Sequence, residues 1–162
     1  MENTLKLVKI LEENARYSNA ELSQMLGISE DEVAKTVEKL EKDGIICGYK
    51  AMIDWDKFSD THVTALIELK VTPQRNAGFE DLANRLLEMD EVEAVYLMSG
   101  AYDFSVTVQG KSFKDVALFV AKRLAVMENI ESTETSFVLR RYKEIGVKMA
   151  ENESDDRGAF SF

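Results

Sequence analysis

Apolar positions along this chain recur with two periods. Between residues 3 and 15, Leu5, Val8, Leu11 and Ala15 fall at helical spacing, with Leu7 and Ile10 widening the stripe, which predicts a helix buried by one face. Leu22, Met25 and Leu26 make the apolar edge of a second helix, and Val33, Val37 and Leu40 that of a third running from Ser29 to Asp43. Ser18 stands three residues before Glu21, and Ser29 three before Glu32. Each pair has the capping-box spacing in which serine and glutamate satisfy helix N–H groups reciprocally. Gly27 supplies a left-handed position between the two helices, Ser23 lies four residues before it and Val33 six after, the spacing of a helix-turn-helix. After Asp43-Gly44, the run Ile45-Ile46-Cys47-Gly48-Tyr49 reads as a strand that would serve as a wing.

Beyond the polar break at Trp55–Asp60 the period changes to two. Val63, Ala65, Ile67, Leu69 and Val71 alternate with Thr64, Leu66, Glu68 and Lys70, up to the single proline, Pro73. A helical stripe follows at Phe79, Leu82, Ala83, Leu86 and Leu87, then a β-rich run from Val92 to Met98, a turn over 100–103, and a second alternating strand through Phe104, Val106 and Val108. Phe113, Val116, Ala117, Val120, Leu124 and Met127 make another helix, and Thr133–Leu139 a last strand. The order β-α-β-β-α-β is the ferredoxin-like pattern: an antiparallel four-stranded sheet with both helices on one face. The expected fold class is therefore α+β, a winged helix-turn-helix over 1–60 followed by a ferredoxin-like domain over 61–146. The acidic stretch 147–162 is expected to be a mobile tail, with Phe160 and Phe162 at its end. The sheet face without helices carries Leu66, Tyr96, Met98 and Val138, which predicts a homodimer through that face.

Composition narrows the chemistry. The 162 residues are 45% hydrophobic, enough for real cores, and contain no apolar run of membrane-spanning length and no basic-then-apolar leader. A cytoplasmic protein without membrane partners is expected. A single cysteine, Cys47, precludes an internal disulfide, and with one histidine, His62, no zinc set can be assembled. Cys47 is expected to be a small buried hydrophobe and His62 structural or solvated. No nucleophile–base pair, metal or cofactor site is read, so an enzyme is not expected.

Net charge is −10, and residues 1–60 hold 8 Lys/Arg against 13 Asp/Glu, the wrong sign for a surface that neutralises phosphates. Distribution qualifies that objection. On the third helix Lys35, Lys39 and Lys42 face away from Val33, Val37 and Leu40, although Asp31 is placed to pair with Lys35 and Glu38 with Lys42. The candidates for DNA contact are Ser29, Lys35, Thr36, Lys39 and Lys42, foremost Lys35 and Thr36. The acidic first turn favours the helix dipole but meets phosphates badly.

Three motifs stand in order: Leu26-Gly27-Ile28-Ser29, then Leu40-Glu41-Lys42-Asp43-Gly44-Ile45-Ile46-Cys47-Gly48-Tyr49, then Ser99-Gly100-Ala101-Tyr102-Asp103. With these the chain resembles the leucine-responsive regulatory protein (Lrp/AsnC) family of bacterial and archaeal transcription regulators, from residue 3 to about 145. The resemblance implies that the second half is a RAM domain that dimerises, forms higher assemblies, and binds amino acids or related metabolites. It also implies that Gly100, Ala101, Tyr102 and Asp103 form the loop beside the effector pocket, with Thr133, Thr135 and Ser136 lining the same cleft. A plainer reading of the loop is a hairpin turn, with glycine for a positive φ and aspartate for local hydrogen bonds. The functional expectation is a sequence-specific regulator that grips palindromic half-sites on double-stranded DNA under the control of a small metabolite, an amino acid foremost. The alternative is a metabolite-binding oligomer whose acidic helix has weakened or lost DNA binding. An enzyme on the same scaffold, as in sirohaem decarboxylases, is disfavoured for want of a catalytic pair.

Overall fold

The computed structural model describes residues 2–58, 61–72 and 78–149, and its chain divides into two compact units between Met52 and Ile53. Residues 150–162, with Phe160 and Phe162 and most of the expected tail, lie outside the described residues.

The first unit holds three helices, α1 (Glu2–Glu13), α2 (Asn19–Leu26) and α3 (Glu30–Lys42). Each helix contributes one or two almost solvent-free positions: Leu7 from α1, Leu22 from α2, and Val33 and Leu40 from α3. At about 1.5–3 kcal/mol per buried aliphatic side chain, these four and the half-buried Val8, Leu11, Val37 and Ile46 around them hold a small unit together. Gly27 closes α2 at φ 67°, ψ 33°, its N–H donating to Ser23 O at 2.9 Å, and the Ser23 hydroxyl ties the turn to Ile28 O at 2.5 Å.

The expected wing strand does not form. Past Gly44 (φ 69°) the N–H groups of Ile45 and Ile46 both turn back onto Leu40 O, at 2.9 and 3.1 Å, capping α3. Without a second strand to pair with, residues 45–53 carry no ladder. Cys47 is accordingly exposed rather than buried, its thiol donating to Gly44 O at 3.2 Å.

In the second unit a short helix, α4 (Trp55–Phe58), precedes β1 (Val63–Val71), α5 (Glu80–Leu87), β2 (Val92–Leu97), β3 (Phe104–Gly110), α6 (Phe113–Phe119) and β4 (Ile130–Phe137). His62 has a structural place here: its ring stacks on Trp55 at 4.9 Å and 17°, and its Nε2 is hidden without a hydrogen-bond partner among the described residues. The sheet order is β2-β3-β1-β4 with every pairing antiparallel, the ferredoxin-like arrangement. Ala65, Ile67, Leu69 and Val71 point to the core, meeting Leu82 and Leu86 of α5 and Val116 and Phe119 of α6. Gly110 is where sheet and α6 come closest, since a Cβ there would stand 2.8 Å from Val116 Cγ2. α6 continues as one π-helical turn, Val120–Leu124, which buries Leu124 and sets Arg123 against both oxygens of Glu91 at 2.7 and 2.6 Å.

The helix-free face is not wholly open. A C-terminal hairpin, β5 (Lys143–Glu144) and β6 (Val147–Lys148), follows the sheet. Arg141 before it donates to Thr64 Oγ1 at 2.5 Å, and Met149 after it is buried. Val147 and Lys148, assigned by sequence to the tail, are thus a strand. Among the described residues no helix is long and apolar enough to cross a membrane, and no three His, Cys, Asp or Glu side chains cluster to hold a metal.

Candidate functional site

Of the two capping boxes, the first is complete. Glu21 N donates to Ser18 Oγ at 3.3 Å while Ser18 N donates to Glu21 Oε2 at 2.8 Å, which, with the serine hydroxyl, holds that carboxyl below its ordinary range. Only half of the second exists. Ser29 Oγ accepts from Glu32 N at 3.2 Å, but the Glu32 carboxylate makes no return bond. Ser29 therefore starts α3 as its N-cap, with Glu30, Asp31 and Glu32 in the first turn.

Lys35, Lys39 and Lys42 are all exposed on α3, opposite its buried stripe. Lys35 Nζ pairs with Asp31 Oδ2 at 2.6 Å, as the spacing predicts, with about three-quarters of both side chains in solvent. Such a pair contributes only about 0.3–0.5 kcal/mol. The second expected pair is absent: among the described residues Glu38 and Lys42 make no ion pair, so Lys42 keeps its charge free. Thr36 donates to Glu32 O at 2.7 Å, so its hydroxyl proton is committed to its own helix and only its oxygen can accept. Ser29, Lys35, Thr36 and Lys39 line one groove of about 980 Å³ between α1 and α3, and Lys42 lies outside it. Tyr49 reaches back to α3, its hydroxyl donating to Glu41 Oε1 at 2.9 Å, and burial together with that carboxylate raises the phenol's pKa.

The second candidate set centres on the loop between β2 and β3. Met98 N donates to Asp103 O at 2.8 Å and Asp103 N to Leu69 O at 2.9 Å, which fastens the loop to the end of β1. The register of β1 against β4 shifts between Lys70 and Val71, and Val71 N donates instead to Asp103 Oδ2 at 2.8 Å. Lys70 Nζ lies 3.2 Å from the same oxygen. That backbone donor first, then Lys70, hold the Asp103 carboxyl below its ordinary value. Asp103 is thus spoken for by the fold. Gly100 is not: it has no positive φ and a Cβ there would meet nothing, so the hairpin-turn reading does not account for this glycine. The N–H groups of Gly100, Ala101 and Tyr102 have no acceptor among the described residues.

Tyr102 donates to Glu134 Oε2 at 2.6 Å. That bond, then burial, then the charges of Glu134 and Glu68 raise its phenol. Glu134 was not among the residues singled out from sequence, although its place between two of them on an alternating strand was the available signal. The expected cleft residues on β4 are divided between two faces. Thr133 and Thr135 stand across from Leu69 and Ile67 on the helix-covered side, whereas Ser136 stands across from Leu66 on the other.

Comparison with known proteins agrees with both halves. Residues 2–46 match the family model described as winged helix-turn-helix DNA-binding, and residues 64–147 match the model described as the Lrp/AsnC ligand binding domain. An HTH-type transcriptional regulator of Bacillus subtilis, YugG, is 45% identical over 158 residues, covering 96% of this chain and 94% of the relative. The HTH-type transcriptional regulator Ptr1 of Methanocaldococcus jannaschii is 34% identical over 145 residues, covering 90% and 95%. Among solved structures, the transcriptional regulator NMB0573 of Neisseria meningitidis, in complex with L-Met, superposes with a TM-score of 0.73 at 24% identity over 89% of this chain and 92% of that one.

Proposed function

The chain belongs to the Lrp/AsnC family of DNA-binding transcription regulators with a ligand-binding domain, and from that premise we propose which residues read DNA, what the ligand is and how copies combine. DNA contact runs through α3: Lys35, Lys39 and Lys42 neutralise phosphates, while Ser29 and Thr36 present hydroxyl oxygens beside them. The observation that carries this is the exposure of all three lysines on the side of α3 away from its core stripe, with one lysine in an exposed pair. Two copies bind together, each helix-turn-helix on one half-site of a palindrome, because three cations per copy give little affinity alone in so acidic a chain. Such a protein acts in the cytoplasm.

The ligand is an amino acid or a related small metabolite, seated at the loop that holds Gly100 to Asp103. Three successive N–H groups without acceptors among the described residues suit a carboxylate, and the missing side chain at Gly100 leaves that backbone open to approach. The L-Met complex of the Neisseria regulator lends this reading support from a protein of the same fold. A melting screen against the twenty amino acids tests it. A binder at a hundred times its Kd adds about 2.7 kcal/mol and raises the melting temperature, and a flat screen would count against an amino-acid effector. Binding to genomic DNA fragments at low salt, weakening as salt rises, tests the first part.

A further inference from the structure

The groove between α1 and α3 has a floor that phosphate contact does not use. Leu5 and Val8 of α1, Leu40 of α3 and Ile45 beyond it line the groove together with Lys35 and Lys39. Leu5 and Ile45 are 58% and 60% exposed, and the volume of about 980 Å³ lies within the range of small-molecule pockets. A surface that meets a duplex needs the cations on the rim and gains nothing from leucine and isoleucine beneath them. Exposed apolar surface rimmed by polar groups marks a place of interaction.

The same chain carries a segment of matching chemistry. Residues 150–162, outside the described residues, hold Glu151, Glu153, Asp155 and Asp156 against Arg157, followed by Phe160 and Phe162. Phenylalanines two positions apart lie on one side of an extended segment, so both rings can enter one groove. Lys39 lines the groove and Lys42 follows it on α3, and among the described residues neither makes an ion pair. Asp31 and Glu32 at the start of α3 and Asp43 at its end confine an acidic segment to those two lysines, so the rings carry most of the grip. The segment also starts from a fixed point, because Met149 is buried and its N–H donates to Tyr142 O at 3.1 Å. From there the residues of 150–162 extend at most about 45 Å, beyond the ~30 Å diameter of a small domain.

We propose that the segment 150–162 docks in the α1–α3 groove, Phe160 and Phe162 on Leu5, Val8 and Ile45 and its acids on Lys39 and Lys42, and covers the DNA-reading face until a duplex displaces it. The acids stand where phosphates would, on the same lysines, so segment and duplex exclude each other. A tethered segment acts at an effective concentration on the order of 1 mM. One that binds as a free peptide with a Kd of about 0.1 mM therefore fills the groove roughly ten times in eleven and lowers DNA affinity about tenfold. This rests on the assignment of α3 to DNA and adds what that face holds when DNA is absent.

Two measurements on the full chain test it. Fluorescence anisotropy on a labelled duplex compares wild type with Phe160→Ser plus Phe162→Ser, and with Leu5→Asn, a change at an exposed position that leaves the melting temperature unaltered. Each gains about tenfold in DNA affinity, and the combination gains no more than either, because both break one contact. Independently of DNA, a labelled peptide of residues 150–162 binds the Phe160→Ser, Phe162→Ser chain with a Kd near ~0.1 mM, and about tenfold more weakly once Leu5→Asn is added. Unchanged DNA affinity in the phenylalanine variant, gains that multiply, or a peptide that ignores Leu5→Asn overturns the proposal. So does a gain from Leu5→Asn alone, which would mean that another occupant, a second copy among them, covers the groove. A chain that binds no duplex in any variant, while the peptide still meets the groove through Leu5, removes the assignment of α3 and leaves the docking standing.

Discussion

Asp31→Asn is the most informative single change, because the structure predicts opposite signs for two measurements. Asp31 sits in the first turn of α3 with its carboxylate 2.6 Å from Lys35 Nζ. Removing it frees Lys35 from an exposed pair worth about 0.3–0.5 kcal/mol. It also removes a negative charge that would stand roughly 7 Å from a phosphate held by Lys35, worth about 0.6 kcal/mol in water. The sum is about 1 kcal/mol per copy, or about 2 kcal/mol for two copies on one site, a gain of roughly thirtyfold in affinity. The helix loses a favourable interaction with its dipole, so folding stability falls by about 0.3–1 kcal/mol. Fluorescence anisotropy on a labelled duplex at fixed salt gives the first quantity and urea denaturation the second. Glu38→Gln is the companion: Glu38 holds no ion pair with Lys42, so only the phosphate term applies, and two copies gain about 1 kcal/mol, roughly fivefold. Unchanged or weaker DNA binding by Asp31→Asn, or a larger gain from Glu38→Gln, would refute this account of the recognition surface.

Other substitutions test the two units separately. Gly27→Ala forces a side chain into φ 67° and should cost about 1 kcal/mol or somewhat more by urea denaturation. Gly110→Ala drives a Cβ to 2.8 Å from Val116 Cγ2, and overpacking there should cost about 1–3 kcal/mol. Gly100→Ala, in contrast, meets no strain and no neighbour, so it should leave the melting temperature of the unliganded chain alone while shrinking the shift produced by an effector. For pH the capping box gives the sign: the Glu21 carboxyl is held below its ordinary value, so its contribution is full above about 4.3 and is lost as pH falls through the lowered value. Melts of wild type and Glu21→Gln should therefore converge as the solution is acidified, and a constant gap would contradict the box.

Much of this architecture is legible in the order of residues, for identifiable reasons. The stripe of α3 and the alternation of β1 each bury the face they predict, whereas in α1 the face turns toward Leu7, which is fully buried, and leaves Leu5 and Ala15 of the expected stripe exposed. The residues that misled are those whose neighbours are set by tertiary context. Ile45 to Tyr49 have strand composition, yet a strand needs a partner, and the backbone there caps α3 instead. Cys47 followed that error into solvent. Thr133, Thr135 and Ser136 look like one polar group in sequence, but alternation sends the threonines and the serine to opposite faces of the sheet. The role of Asp103 depends on the register shift that leaves Val71 N beside it, which spacing alone does not reveal. The closing hairpin went unread although Ile145-Gly146 between Lys143-Glu144 and Val147-Lys148 is a two-residue turn between short strands, because isoleucine is a poor signal for φ above zero.

The most direct test of the central claim is the salt dependence of DNA binding, measured on wild type and on Lys35→Ala with Lys39→Ala and Lys42→Ala together. Three phosphate contacts per copy and two copies per site predict a slope of log K against log salt of about −5 for the wild type, collapsing toward zero in the triple variant. A triple variant that binds with the wild-type slope would mean that another surface grips the duplex, and would contradict the assignment of α3.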